Sequence, residues 1–201
     1  MRTLLVFGII LLLAVKAEAQ RFDAGLIAGF NGTQVEGDAF KGYHKAGILA
    51  GLFVQTEVAP AIIAGMEIKY SQKGSSRKLD PKKPEVEKYI MRLGYIEIPV
   101  FMGFRTSDKG MIIGGISPGV LIHSKEIGAH GEFPKQDQHP FKKMDLQPFL
   151  GFQFDFLERA SVDLRFALSV IPIREKPKGT NYYWLNNQFN NNISLALYYR
   201  L

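Results

Sequence analysis

Between residues 161 and 170 the chain alternates strictly. Val162, Leu164, Phe166, Leu168 and Val170 fall on one side of an extended strand, and Ser161, Asp163, Arg165, Ala167 and Ser169 fall on the other, because successive strand residues project to opposite faces. One face is wholly apolar and the other carries two charges. Residues 145–156 repeat the split, with Leu146, Leu150, Phe152, Phe154 and Phe156 opposing Asp145, Gln147, Phe149, Gly151, Gln153 and Asp155. Pro148 sits near the start of that stretch, where a strand tolerates proline. At the carboxyl end Ile193, Leu195, Leu197, Tyr199 and Leu201 oppose Ser194, Ala196, Tyr198 and Arg200. The same periodicity marks residues 22–30, 45–58, 62–71, 89–105 and 111–123, so that eight strands are predicted, the last over 190–201.

The connections alternate in length. Ala59-Pro60, 106–110 and 157–160 are tight turns, whereas 31–44, 72–88, 124–143 and 172–189 are long and polar. Short turns on one rim and long loops on the other fit outer-membrane barrels, with the turns periplasmic and the loops outside. The expected fold is all-β: an eight-stranded antiparallel up-and-down transmembrane β-barrel with short periplasmic turns and long extracellular loops. Gly25, Gly29, Gly47, Gly51, Gly65, Gly103 and Gly151 lie on the face that would point inward, where missing side chains relieve crowding and permit curvature. Phe22, Phe30, Tyr70, Tyr89, Tyr95, Phe104, Phe156 and Tyr199 stand toward strand ends, as candidates for interfacial aromatic girdles.

The first residues add export. A short positive start at Met1-Arg2-Thr3, an apolar run from Leu4 to Val15 and a small-x-small site at Ala17-Glu18-Ala19 read as a secretory signal peptide over 1–19, cleaved before Gln20. Lys16 and Glu18 interrupt the run well short of the ~20 residues a spanning helix needs. Residues 20–201 then form one barrel domain. Without Arg2, Lys16 and Glu18 the 25 basic and 19 acidic residues become 23 and 18, a net charge of +5 that is no nucleic-acid footprint. The absence of cysteine excludes a disulfide framework and thiol catalysis. No later apolar run is long enough for a membrane helix, so spanning the bilayer requires a closed barrel.

Charge on the inward face is the most pointed candidate chemistry. Lys45, Glu57, Glu67, Lys69, Glu97, Arg105, Asp163 and Arg165 share it, and Glu67, Lys69 and Glu97 fall on neighbouring strands. The functional reading is an ion path or an acid/base pair. The structural reading, which we prefer, is a salt-bridged plug, because eight strands leave an interior just wide enough for side chains and unpaired interior charge is costly. No open aqueous pore is expected. His123, His130 and His139 lie in or beside one long segment with Glu126, Glu132 and Asp137, at spacings that match no compact metal motif, so neither a metal nor any other cofactor is expected. The segment 72–88 carries Lys73, Arg77, Lys78, Lys82, Lys83 and Lys88, an excess suited to lipopolysaccharide phosphates. Residues 181–187 form an aromatic loop holding the only tryptophan, Trp184.

Three short stretches, Ala24-Gly25-Leu26-Ile27-Ala28-Gly29-Phe30-Asn31, Tyr70-Ser71-Gln72-Lys73-Gly74 and Tyr95-Ile96-Glu97-Ile98-Pro99, resemble in order and spacing the outer-membrane β-barrel domain family that includes PorT-like proteins of gram-negative bacteria. The resemblance spans the mature chain. It implies an eight-stranded outer-membrane barrel, with PorT-like members tied to protein secretion, and it carries no catalytic residues. Leu201 stands where the family usually ends on an aromatic residue for assembly recognition. The expected role is therefore non-enzymatic, structural or secretion-associated, exercised through the loops. Outer-membrane lipid, lipopolysaccharide, the barrel-assembly machinery and secretion-apparatus proteins are the expected partners. Two alternatives compete: a small-barrel lipid-modifying enzyme, for which His44 and Ser117 are the residues to test, and a soluble lipocalin-like binding protein with a greasy interior.

Overall fold

Period-two patterning predicts strands that each hide one face, and the computed structural model, which describes residues 21–38, 42–77, 89–128, 131–133, 140–175 and 187–201, shows how they do so. The elements are β1 (Phe22–Glu36), β2 (Lys45–Ala59), β3 (Ile62–Lys73), β4 (Ser76–Arg77), β5 (Tyr89–Glu97), β6 (Val100–Arg105), β7 (Gly110–Gly128), β8 (Gly131–Glu132), β9 (Met144–Leu157), β10 (Ala160–Leu168) and β11 (Phe189–Arg200). Every pairing among them is antiparallel. β5 and β6 form one barrel strand broken at Ile98-Pro99, since proline has no N–H to give. The break is bridged: the Glu67 N–H donates to the Pro99 carbonyl and the Ile98 N–H to the Pro118 carbonyl, each at 2.9 Å. With the two-residue β4 and β8 as rim extensions, eight strands remain.

Closure comes from the first and last of them. β1 pairs on one side with β2 and on the other with β11, from Gly25 opposite Arg200 to Glu36 opposite Phe189. The Leu201 N–H then donates to the Ala24 carbonyl at 3.0 Å. Among the described residues the eight barrel strands leave no sheet edge within the belt, which a bilayer requires.

The polarity of the wall is inverted relative to a soluble protein. Leu26, Phe30, Ile48, Leu52, Leu150, Leu164 and Leu195 are exposed, while Glu67, Lys69, Lys73, Glu97, Asp145, Asp163 and Arg165 are buried. The lipocalin-like alternative required the reverse and is overturned by this arrangement. On β2 the outward apolar positions run from Ile48 to Val58. At ~3.3 Å per residue and a tilt of ~40° that stripe stands roughly 25 Å tall, the height of a hydrocarbon core.

Strands run past the expected ends at the loop rim. β1 continues through Asn31 to Glu36, β3 to Lys73 and β7 to Gly128, because backbone pairing persists above the belt after the outward side chains turn polar. At the other rim the tight turns stand where expected. Ala61, between β2 and β3, is held at φ 66°. Inward glycines let the wall close: a Cβ on Gly151 would lie 2.6 Å from the Leu164 carbonyl oxygen and 2.7 Å from Arg165 Cγ. Phe22, Phe30, Phe104, Phe156 and Tyr199 face outward as a girdle would. Tyr95 is a correction. It shares the parity of Glu97 and is fully buried in the lumen.

Candidate functional site

Alternation puts Glu67, Lys69, Ser71 and Lys73 of β3 on one inward stripe, and curvature aims Tyr95 and Glu97 of β5, Asp145 and Gln147 of β9, and Asp163 and Arg165 of β10 at the same space. Arg165 is the hub of the turn-side half. Its guanidinium donates to both Glu67 oxygens, at 2.7 and 3.0 Å, and to Asp163 at 3.1 Å. It lies 4.9 to 5.5 Å over the rings of Phe149, Tyr198 and Phe101, and the Tyr198 hydroxyl donates to Glu67 at 2.9 Å.

From there the chain of charge continues toward the loops. The Lys69 ammonium lies 3.4 Å from Glu67 and 3.9 Å from Glu97. Lys73 pairs with Glu97, donates to Gln147 and reaches Asp145 at 3.4 Å, with the Tyr95 ring 5.1 Å from its nitrogen. Asp145 also accepts from Ser169 at 2.6 Å and Asn190 at 2.8 Å. The order Asp163, Arg165, Glu67, Lys69, Glu97, Lys73, Asp145 is thus an unbroken alternation of sign. Each charge has an opposite neighbour and most carry further hydrogen bonds, the condition under which buried ions are tolerated.

Above this lies an apolar seal. Val35, Met91, Leu93, Tyr95 and Ile173 are fully buried together. Over them Glu126 accepts from Tyr89 and Arg174, and the Arg174 guanidinium carbon sits 3.6 Å from the centre of the Phe141 ring. Below, the turn rim opens into a polar vestibule of about 430 Å³, with Arg21, Asp23, Glu57, Arg105, Arg159 and Arg200 among its lining residues.

Of the expected inward charges, Glu67, Lys69, Glu97, Asp163 and Arg165 meet. Lys45 is buried nearer the loops and donates to the Ala46 carbonyl. Glu57 and Arg105 are corrections: they reach the vestibule, the former exposed and the latter half-exposed, because their strands meet water at that rim. Lys73 is another. Expected in the basic external loop, it is 1% exposed, since β3 runs two residues further and its parity points inward. Arg77 is exposed on β4; Lys78, Lys82, Lys83, Lys88, His130, His139 and Trp184 lie outside the described residues. His44 is exposed just before β2 and Ser117 is buried on β7, and β2 and β7 do not adjoin. Among the described residues no group of three or more His, Asp or Glu is arranged to hold a metal. Asp145, Gln147 and Tyr198 were legible by parity alone. Ser169 and Asn190 needed the closed register, and Arg174 fell in an expected loop.

A closed antiparallel eight-stranded barrel, greasy outside and ion-paired within, defines a small outer-membrane β-barrel protein. The family model described as "Outer membrane protein beta-barrel domain" matches residues 16–175, and the chain belongs to that family. Two solved structures share the fold. Ail, the attachment invasion locus protein of Yersinia pestis, in complex with the heparin analogue sucrose octasulfate, is 13% identical with a TM-score of 0.54, over 90% of this chain and 99% of its own. Neisserial surface protein A (NspA) is 10% identical with a TM-score of 0.53, over 92% of this chain and 100% of its own. A comparison with curated proteins finds no match. The narrower PorT-like name is not among these findings.

Proposed function

We propose that this barrel is a non-enzymatic interaction protein that conducts nothing through its lumen and meets its partners at the loop rim. The observation that carries the reading is the continuous ion-paired chain from Asp163 to Asp145 beneath the seal of Val35, Met91, Leu93, Tyr95 and Ile173. A lumen filled that way offers no aqueous path, which leaves the loops as the working surface. Arg77 and the basic residues through Lys88 give that surface an excess of positive charge suited to polyanions, including lipopolysaccharide phosphates. The fold-mate Ail, an attachment protein by name, is in complex with a heparin analogue, which favours adhesion over a purely structural part. A PorT-like secretion role would use the same rim. In this reading the chain is exported by the signal peptide over 1–19 and inserted by the barrel-assembly machinery.

The test has two arms. Purified barrel in planar bilayers should give no resolved conductance steps, and heparin beads should retain it but not a variant lacking residues 78–88. Sustained channel steps of the native barrel would overturn the plugged lumen, and undiminished retention of the deletion variant would overturn the loop assignment.

A further inference from the structure

At the loop end of the wall, β7 carries an irregularity that re-aims side chains. The β5–β7 register shifts between Gly94, opposite His123, and Tyr95, opposite Leu121. Two residues, Ile122 and His123, therefore stand against one step of β5, as in a β-bulge. Plain alternation from Leu121, which packs on the lumen seal, would turn His123 inward; the bulge turns it out. His123 then lies over Gly94, where a Cβ would come within 2.7 Å of the imidazole Nε2, and stacks on the Tyr70 ring with centroids 6.1 Å apart and planes 22° apart.

Beyond the bulge, Lys125 stands directly opposite Arg92, and both are exposed on the outward face. Cross-strand partners have Cβ atoms about 5 Å apart, and like charges placed so repel. Lys125 is offset in part by Glu132 at 2.6 Å. Arg92 has no hydrogen bond or ion pair among the described residues. Immediately below are the outward apolar residues Ile122, Val120 and Ile98 of the belt. The patch thus combines cations held close together, a stacked aromatic floor and a greasy lower border.

We infer that this patch, centred on Arg92, His123 and Lys125, binds the phosphomonoester of an outer-leaflet glycolipid. The position on the wall just above the belt is where a headgroup sits while its acyl chains lie along Val120 and Ile122. A phosphomonoester carries close to two negative charges, against one for the diester of a glycerophospholipid, and so matches paired cations better; Arg92 supplies a planar fork of donors. The Tyr70–His123 stack offers its edge and face to the sugar. The inference deepens the lipopolysaccharide contact proposed for the rim, but moves it from the loop to the wall.

The test places the full mature chain in phosphatidylcholine nanodiscs and counts bound lipid by native mass spectrometry. The added probes are bis-phosphorylated lipid A, dephosphorylated lipid A, phosphatidylglycerol and inorganic phosphate. Bis-phosphorylated lipid A should bind at least about tenfold more tightly than phosphatidylglycerol. In the double variant Arg92→Gln/Lys125→Gln that affinity should fall about tenfold or more, with heat-modifiable mobility retained because both side chains are exposed. A variant lacking residues 78–88 should bind the lipid normally while losing heparin, which separates this site from the loop reading. Unchanged lipid A binding in the folded double variant overturns the inference. So does equal binding of dephosphorylated lipid A or phosphatidylglycerol, or competition by inorganic phosphate at matching concentration.

Discussion

Replacing Arg165 with methionine probes the plug at its hub. The substitution keeps most of the apolar volume beside Phe101, Phe149 and Tyr198 but removes the guanidinium. Glu67 would still hold Lys69 at 3.4 Å and the Tyr198 hydroxyl at 2.9 Å. Asp163, 1% exposed, would lose its ion-pair partner on β10. Removing one member of a buried pair costs ~3–5 kcal/mol because the other charge stays desolvated. That is about two to four powers of ten in the folded-to-unfolded ratio. Urea titration of barrel refolded into vesicles, read as the heat-modifiable fraction on a gel, measures the loss. Adding Asp163→Asn to Arg165→Met should recover part of it by removing the stranded charge. A change below ~1 kcal/mol in the single variant, or no recovery in the double one, would refute the claim that these ions hold one another.

Three further outcomes follow from the same geometry. Deleting residues 198–201 removes the pairings of Tyr198, Tyr199 and Arg200 with β1 and should abolish the heat-modifiable form, so stable barrel from that truncation would count against closure through β11. Ala61→Gly relieves a left-handed residue at φ 66° and should raise stability by about 1 kcal/mol; an unchanged or lower urea midpoint would contradict it. Gly151→Val drives a side chain into the Leu164 carbonyl and Arg165 and should cost about 1–3 kcal/mol, visible as a lower refolding yield, whereas native yield would show that the wall can yield there.

The barrel was legible wherever one face had to meet lipid. Within the belt, period-two alternation assigns Leu164 outward and Arg165 inward without ambiguity, and the meeting of Glu67, Lys69 and Glu97 follows from strand adjacency. Legibility failed where that constraint lapses. Above the belt the outward face turns polar, so Asn31 to Glu36 and Gln72-Lys73 read as loop although backbone pairing continues through them, and Lys73 reads as an outside residue. Residue type alone points Tyr95 to the girdle, whereas its parity points it inward. His123 could not be oriented because a bulge shifts the register by one, and nothing in local hydrophobicity marks that insertion. The bonds of Asp145 to Ser169 and Asn190 join residues 24 and 45 apart in sequence, which only the closed register brings together.

The inverted wall itself is best tested by methyl NMR of the unmodified protein in bilayer nanodiscs containing a lipid-borne spin label. On this account the methyls of Leu52, Leu150, Leu164, Leu195 and Leu197, all outward, broaden strongly, while those of Ile113, Ala167 and Ala196, all buried in the lumen, stay sharp. Broadening of the second set with sparing of the first, or no difference between them, would contradict it.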